Sequence, residues 1–337
     1  MEPRRNVTII DVARSAGVSV ATVSKVVNDR YGVAEPTALR VREVIARMGY
    51  ESSLGARSLR SHRTGVLGIL VAEFEPFSTE LLKGITTAAR HSGYELVAHS
   101  ARGGREHQVG WEKRSLARLS GTLIDGAVLV TPTVVDGNYR IPVVAIDPHT
   151  GPSDLPTIDS DNLAGAQSAV RHLLELGHRR IGFLAGRPDL ESARLREEGY
   201  RRSLAEAGIV VDEQLIRVGG YRAETAGAPA AELLSLPDRP TAVFAANDLS
   251  AIRTIEVARS LGLDVPGDLS VVGFDNVPDA AQSSPPLTTV AQPLRRLGEE
   301  AMTMLLALVQ GRDLDQRHRR LETRLEVRSS TAPPQRR

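Results

Sequence analysis

The first positions of the chain carry the apolar spacing of a short helix. Ile10, Ala13 and Ala16 lie three residues apart, which predicts a helix with one small apolar face. Thr8 precedes this run and is followed three residues later by Asp11, the pattern of a capping box. The sequence therefore predicts that a first helix begins directly after Thr8.

A second helix is predicted after a tight turn. Gly17 tolerates the positive φ of a helix end, and Ser19 can cap the next helix with its hydroxyl. At about 100° per residue the second helix has two faces. One arc holds Val20, Ala21, Ser24, Lys25 and Asn28, and the opposite arc holds Thr22, Val23, Val26 and Val27. Because the valines must pack inward, we expect the arc with Lys25 to face outward.

Such a helix-turn-helix suits the major groove of DNA, because its outward face offers small apolar groups, hydroxyls and one cation. The alternative is a pair of ordinary amphipathic helices. A third helix is predicted from about Thr37 to Met48, started by Glu35-Pro36, and a polar stretch follows it.

From Thr64 onward, apolar runs of strand length alternate with helical patterns. Buried parallel strands are predicted at Val66–Val71, Glu95–His99, Gly126–Val130 and Val143–Ile146, and again at Arg180–Ala185, Leu215–Val218, Ala242–Ala245 and Leu269–Phe274. Two successive series of this kind predict an α/β fold with two doubly wound lobes. Leu294–Val309 is a strongly amphipathic helix, and Arg319–Leu325 is predicted as a last strand.

Composition adds an asymmetry of charge to this picture. Residues 1–63 carry 11 Lys or Arg against 6 Asp or Glu, whereas the other residues carry 31 against 35. A basic head on a mildly acidic body is typical of a duplex-binding module joined to another domain. The chain has no cysteine and no apolar run long enough for a membrane span, and we expect no signal peptide and a cytoplasmic location.

Motifs of catalysis are missing from the sequence. There is no nucleophile elbow and no phosphate loop, and the glycine-rich stretch Arg102–Arg105 completes no fingerprint. The eight histidines have no metal-ligand spacing; His172 and His178, six apart, would not share a helix face. We therefore expect neither an enzyme nor a cofactor or metal.

The order of these elements and their residues resemble the LacI/GalR family of bacterial transcriptional regulators. The resemblance rests on DVA, GVS, ATVS and VVN in the head, ARSL at Ala56–Leu59, and HRRIGFLAG, NDLSA and LSVVGFDN in the body. It covers nearly the whole chain and implies a periplasmic-binding-protein-like body. The expected parts are a headpiece at 1–50, a hinge helix and linker at 51–63, a body at 64–330 and a flexible tail at 331–337. Within the body, lobe 1 is expected at about 64–160 and 291–327, and lobe 2 at about 161–290.

The same resemblance implies the DNA contacts. It makes Leu59 the hinge-helix residue that wedges into the minor groove and kinks the duplex, although Leu59 could instead pack on the body. Glu51-Ser52-Ser53 departs from the Pro-Asn that follows the tyrosine in many relatives, although Ser53 can still cap the hinge helix. The candidate DNA-binding residues are Thr8, Ser19, Val20, Ala21, Thr22, Ser24, Lys25, Asn28, Arg57 and Leu59.

The body should bind a small molecule between its lobes, at the carboxyl ends of the strands. Asp147, Asn247 and Asp275 follow predicted strands, and the resemblance places a ligand-binding arginine at Arg196. The candidate effector-binding residues are Phe74, Phe77, Asp147, Ser192, Arg196, Tyr221, Asn247 and Asp275; Trp111 is a further aromatic candidate that would more usually be core.

Plainer roles exist for four of these side chains. Arg196 and Asp275 could simply pair across the cleft, and Asp147 and Asn247 could be turn or cap residues. Carboxylates and amides facing an arginine are nevertheless the groups that bind vicinal hydroxyls.

The sequence thus predicts a dimeric repressor that binds a pseudopalindromic operator in double-stranded DNA and is released by a small sugar. A homodimer is expected because the polar tail lacks leucine heptads for tetramers. Two alternatives stay open: a regulator that needs a purine or another non-sugar co-repressor, and a solute-binding protein, which would need an export signal and no headpiece.

Overall fold

The computed structural model describes residues 7–27, 30–50, 63–100, 109–120, 123–134, 139–151 and 154–335. The chain divides into two compact units, Met1–Gly65 and Val66–Arg337. They are named here the headpiece and the body.

The headpiece contains three helices. These are α1 (Ile9–Ala16), α2 (Val20–Val27) and α3 (Glu35–Met48). The capping box of α1 is confirmed, since Thr8 N donates to Asp11 Oδ2 at 3.0 Å and Asp11 N donates to Thr8 Oγ1 at 3.4 Å. Gly17 ends α1 at φ +64°, and Ser19 Oγ accepts from Thr22 N at 3.1 Å. The predicted local signals therefore produce the two helices and their turn.

The headpiece core confirms most of the predicted faces and corrects two positions. Val23 and Val26 are buried, while Val20, Ala21 and Lys25 are exposed. Ile10 was expected on the inward face of α1 but is 56% exposed, because the buried arc of that helix is Val12, Ala13 and Ala16. Ser24 was expected on the outward arc of α2 but is buried.

The body is built from twelve strands and eight α-helices within the residues that are described. The strands are β1 (Val66–Val71), β2 (Glu95–Ser100), β3 (Gly126–Val130), β4 (Val143–Ile146), β5 (Thr157–Ser160), β6 (Ile181–Ala185), β7 (Ile216–Val218), β8 (Ala242–Ala245), β9 (Ser270–Asp275), β10 (Thr288–Ala291), β11 (His318–Leu321) and β12 (Arg324–Glu326). The helices are α4 (Pro76–Ala89), α5 (Trp111–Leu119), α6 (Asn162–Glu175), α7 (Glu191–Glu206), α8 (Ala223–Leu234), α9 (Asp248–Ser260), α10 (Pro278–Gln282) and α11 (Leu294–Val309), with a 3₁₀ turn at Glu213–Leu215.

The strands form two sheets, which define the two lobes. Lobe 1 has the order β11-β5-β4-β3-β1-β2, and lobe 2 has the order β12-β10-β9-β8-β6-β7. The pairings are parallel, except that β12 runs antiparallel to β10. The chain crosses between lobes after β5, after β10 and between β11 and β12, so the predicted pair of doubly wound lobes is confirmed.

The last part of the body differs from the prediction. Arg319–Leu325 was expected as one strand of lobe 1, yet β11 and β12 are separate strands that pair in different sheets. The segment from 324 therefore belongs to lobe 2. Residues 331–335, expected as part of a flexible tail, continue along lobe 2, where Ala332 N donates to Ser270 Oγ at 3.0 Å.

One strand has a different environment from the one expected. Glu95–His99 was predicted as a buried strand, but β2 is the edge strand of lobe 1 and its side chains are half-buried or exposed. Its short apolar run cannot distinguish an edge from a centre, because that depends on which strand pairs beside it.

Two glycines let α4 and α11 pack against each other in lobe 1. A Cβ at Gly84 would lie 1.8 Å from the Arg295 carbonyl oxygen, and one at Gly298 would lie 2.2 Å from that of Leu81. These distances are far below van der Waals contact and the obstacles are backbone atoms. The helix pair therefore requires glycine at both crossing positions.

Gly84→Ala should lower the free energy of unfolding of the body by at least about 1–3 kcal/mol, because the helices must move apart. Chemical denaturation followed through Trp111, the single tryptophan, measures the change. Gly227→Ala in α8 is the matched control, since its new Cβ would meet only the movable end of Arg253. Equal stability of Gly84→Ala and wild type would show that the crossing is not tight.

Candidate ligand cavity and headpiece surface

A cavity of about 490 Å³ lies between the two lobes, at the carboxyl ends of their central strands. This volume suits a small-molecule ligand. The predicted residues that line it are Phe77, Asp147, Ser192, Arg196, Tyr221, Asn247 and Asp275. Phe74 does not line it and has its side chain turned largely to solvent. Trp111 is also outside it, buried in the core of lobe 1 with Leu116 and Leu129.

Arg196 is the most constrained polar side chain of the cavity. It is 3% exposed, and its Nε donates to Asn162 Oδ1 at 2.9 Å. Its Nη1 donates to the Ala246 carbonyl oxygen and lies 3.4 Å from Asp275 Oδ1. The guanidinium also stacks 3.7 Å from the centre of the Phe274 ring. The Arg196–Asp275 pair therefore exists, and both partners belong to lobe 2 instead of facing each other across the cleft.

Three carboxyl groups in the cavity have raised pKa values. Burial is the main cause in each: the pKa of Asp147 and of Asp275 rises to about 6, and that of Glu75 rises to about 7. The charge of Asp275 raises the pKa of Glu75 further, whereas Arg196 moderates the shifts of both aspartates. The cavity thus places three carboxyl groups where burial disfavours their ionised forms, and Arg196 offsets the effect in part for the two aspartates.

The backbone at the strand ends is unusual as well. Thr131 after β3 has φ +46°, Asp147 after β4 has φ +49°, and Asp275 at the end of β9 has φ +112°. Residues other than glycine rarely adopt these values, and such strain is concentrated at functional sites. The cavity-lining ends of three strands are therefore held in conformations that local sequence does not favour.

Asn247 combines both roles that were considered for it. Its Oδ1 accepts from Ser250 N at 3.0 Å and caps α9, while its Nδ2 donates to the Tyr221 carbonyl oxygen at 2.9 Å. The side chain also lines the cavity. The following residue, Asp248, is buried behind this wall and accepts from Val277 N at 2.9 Å.

Several lining residues were not predicted from the sequence. These are Ala72, Glu73, Glu75, Thr131, His149, Arg187, Leu190, Val218, Gly219, Gly220, Arg222 and Thr225. Glu73, Glu75 and Thr131 follow strand ends, so the rule that found Asp147 could have found them. No local pattern marks His149, Arg187 and Arg222. They lie in loops that line the cavity only because the two lobes pack against each other there.

Polar contacts join the lobes at the rim of the cavity. Arg222 Nη2 of lobe 2 lies 2.5 Å from Glu73 Oε2 of lobe 1. Glu191 N donates to the His149 carbonyl oxygen at 3.0 Å, and His149 Nδ1 lies 3.4 Å from Asp189 Oδ2. Burial lowers the pKa of His149 to about 4, so this imidazole is neutral near neutral pH. Among the described residues, the Arg222–Glu73 ion pair and hydrogen bonds from the loops around His149 therefore join the lobes at the rim.

The headpiece presents part of the predicted DNA-binding surface. Val20, Ala21 and Lys25 are exposed on one side of α2. Thr8 and Ser19 are capping residues, and Thr22 Oγ1 lies 2.9 Å from Ser19 Oγ. Asn28, Arg57, Leu59 and the Glu51-Ser52-Ser53 stretch lie outside the described residues.

Within the described ranges, no helix is long and apolar enough to cross a membrane. No group of three or more His, Asp or Glu side chains in the same ranges could hold a metal ion.

Comparison with protein-family models finds two matches. Residues 8–53 match the model described as bacterial regulatory proteins, lacI family, and residues 170–331 match a periplasmic binding protein-like domain. The chain is 34% identical over 327 residues to the HTH-type transcriptional repressor CytR of Escherichia coli (strain K12), covering 96% of both chains. It is 35% identical over 334 residues to the HTH-type transcriptional repressor PurR of Photobacterium profundum, covering 96% of this chain and 98% of that one.

Two solved structures are similar to this chain over nearly its full length. A lac repressor dimer bound to operator and the anti-inducer ONPF has a TM-score of 0.83 at 28% identity, covering 97% of this chain and all of the other. A complex of the transcriptional regulator CelR with cellobiose has a TM-score of 0.72 at 32% identity, covering 96% and 100%. The headpiece and the two-lobed body, together with these matches, define a DNA-binding transcriptional regulator. The chain belongs to the lacI family of bacterial regulatory proteins.

The raised carboxyl pKa values predict how stability depends on pH. Between about pH 5 and 7 the folded body keeps a proton on Glu75 that the unfolded chain releases, so its stability should fall as pH rises. Glu75→Gln removes this titration. The variant should gain stability relative to wild type as pH is raised from about 5 to about 8.

Urea unfolding at several pH values measures that difference. Glu224→Gln, an exposed glutamate of α8 outside the cavity, is the control. A difference between Glu75→Gln and wild type that stays constant with pH would contradict the prediction.

Proposed function

We propose that this protein is a cytoplasmic transcriptional repressor that binds a pseudopalindromic operator as a dimer and is released by a small sugar. The headpiece would read bases with α2, and the cavity of the body would bind the effector. The protein would act by binding alone, with no chemical step.

The observation that carries the sugar assignment is the polar lining of the cavity. Asp147, Asp275 and Asn247 face the same space as the Arg196 guanidinium. A pyranose offers vicinal hydroxyls that donate to carboxylates and accept from a guanidinium, each such bond contributing about 1.5–3 kcal/mol. Phe77 and Tyr221 in the same lining supply aromatic faces for the apolar side of the ring.

The placement of these groups supports release by a shift between conformations. Asp147 belongs to lobe 1, whereas Arg196 and Asp275 belong to lobe 2. A sugar that bonds to both sides favours one angle between the lobes. It can change operator affinity only by as much as it binds one conformation more tightly than the other.

A purine co-repressor is the second candidate, supported by the similarity to proteins named PurR and by the two aromatic side chains. A solute-binding protein is disfavoured by the headpiece match.

A thermal-shift screen of sugars and purines, followed by operator titration with each hit, separates the candidates. A sugar that weakens operator binding supports the proposal, and a purine that strengthens it supports the alternative.

Lys25→Ala should lose about 1–3 kcal/mol of binding free energy on operator and little on random DNA, because lysine can donate to guanine O6 and N7. Fluorescence anisotropy with both duplexes at one salt concentration measures the two affinities. Arg40→Ala, an exposed cation on α3, is the control. Equal losses of Lys25→Ala on both duplexes would mean that Lys25 contacts only phosphate.

Arg196→Ala should bind operator nearly as wild type does yet fail to release it when the sugar is added. The substitution removes the guanidinium from the cavity and also leaves Asp275 without its ion-pair partner, so some stability of the body is lost too. Operator titrations with and without sugar measure the response. Arg202→Ala on the exposed side of α7 should respond normally. Release of Arg196→Ala at the wild-type sugar concentration would show that the arginine is only structural.

A further inference from the structure

The charges that line the cavity do not balance. Four carboxyl groups face it, from Glu73, Glu75, Asp147 and Asp275. Arg222 pairs with Glu73 at the rim, and Arg196 pairs with Asp275. The remaining two carboxyl groups, those of Glu75 and Asp147, have no ion-pair partner within 4 Å in the described part of the chain.

The other basic groups of the lining do not fill this gap. Arg187 Nη2 lies 2.7 Å from Asp189 Oδ2, so its charge is matched by a carboxylate beside the cavity. His149 contacts the same aspartate and is neutral near neutral pH. The interior of the cavity therefore has an excess of acid.

The arrangement does not favour a metal ion as the missing cation. The described residues offer no cluster of three acidic or imidazole groups with ligating geometry. Ser192, Asn247 and Arg196 line the same space and match hydroxyl groups instead. An organic cation that also carries hydroxyl groups can bind the unpaired carboxyl groups and hydrogen-bond to Ser192, Asn247 and Arg196.

We infer that the effector carries a protonated amine as well as hydroxyl groups, as an amino sugar does, and that Glu75 binds this amine. The inference rests on the proposed sugar-responsive function and names the chemical class of the ligand. Because Glu75 and Asp147 stand in lobe 1 and Asp275 with Arg196 in lobe 2, such a ligand bridges the lobes with its amine on one side.

The electrostatics of the cavity agree with this assignment. Burial and the neighbouring Asp275 and Glu73 hold the pKa of Glu75 at about 7, so its ionised form is costly without a cation. An ammonium group placed against Glu75 removes that cost. A neutral sugar can donate hydroxyl hydrogen bonds to Glu75 but brings no positive charge to it.

Calorimetric titration of the full-length protein with matched hexoses tests the inference. The panel contains glucose, galactose and mannose, their 2-amino-2-deoxy forms and the N-acetylated forms of those amines. In at least one series the amine should bind about tenfold to a hundredfold more tightly than both of its neutral analogues, the ratio expected for one charge-assisted hydrogen bond. Glu75→Gln should lose this preference, measured as the ratio of amine to neutral-hexose affinity, and Glu224→Gln should retain both the preference and the wild-type affinities.

The outcomes separate the inference from the proposed function. A neutral hexose that binds at least as tightly as its amine and releases operator would overturn the amine and leave sugar-responsive repression standing. Retention of the amine preference in Glu75→Gln would overturn the assigned binding group. A panel in which no compound binds or affects operator affinity would overturn both.

Discussion

The buried guanidinium of Arg196 is the interaction on which the cavity depends. A charge at 3% exposure is tolerated only when it is paired and hydrogen-bonded, and this one is held by an amide, a carbonyl oxygen, a carboxylate and an aromatic face. Its partners come from α6, the end of β8 and the end of β9. One side chain therefore ties three elements of lobe 2 into a fixed polar wall.

The wall of the cavity in lobe 1 faces Arg196 and differs from it, because two of its carboxyl groups have no ion-pair partner among the described residues. Glu75 and Asp147 are acidic, mostly buried and without a cation of their own, and the backbone at Asp147 is strained. Such groups cost stability in the empty protein. Under the proposed function, a ligand that compensates these groups removes that cost, and it acts through its different affinity for the two conformations.

The sequence predicted the features that arise from local rules. Helix caps at Thr8 and Ser19 follow from hydrogen-bonding chemistry, and Asp147 was found because carboxyl ends of parallel strands meet at one edge. Ser24 was misplaced because helical periodicity alone does not say how wide a face the neighbouring helices cover. His149 and Arg222 were missed because their place in the site depends on contacts between lobes, and these are remote in sequence.

The end of the chain shows a second limit of local patterns. Arg319–Leu325 was predicted as one strand, yet a crossover between lobes falls inside it. The neighbouring strand determines which sheet each part of the segment joins: β11 pairs with β5 in lobe 1, whereas β12 pairs with β10 in lobe 2. The residues after β12 then follow lobe 2 because Ser330 and Ala332 find hydrogen-bond partners there.

The central claim is that the cavity and the operator-binding headpiece are coupled. The most direct measurement determines effector affinity by calorimetry with and without saturating operator, and operator affinity with and without saturating effector. Coupling requires the two affinities to change by the same factor, about 5-fold to 150-fold in typical allosteric proteins. A ligand that binds the cavity with one affinity in both states, and leaves operator affinity unchanged, would contradict the account.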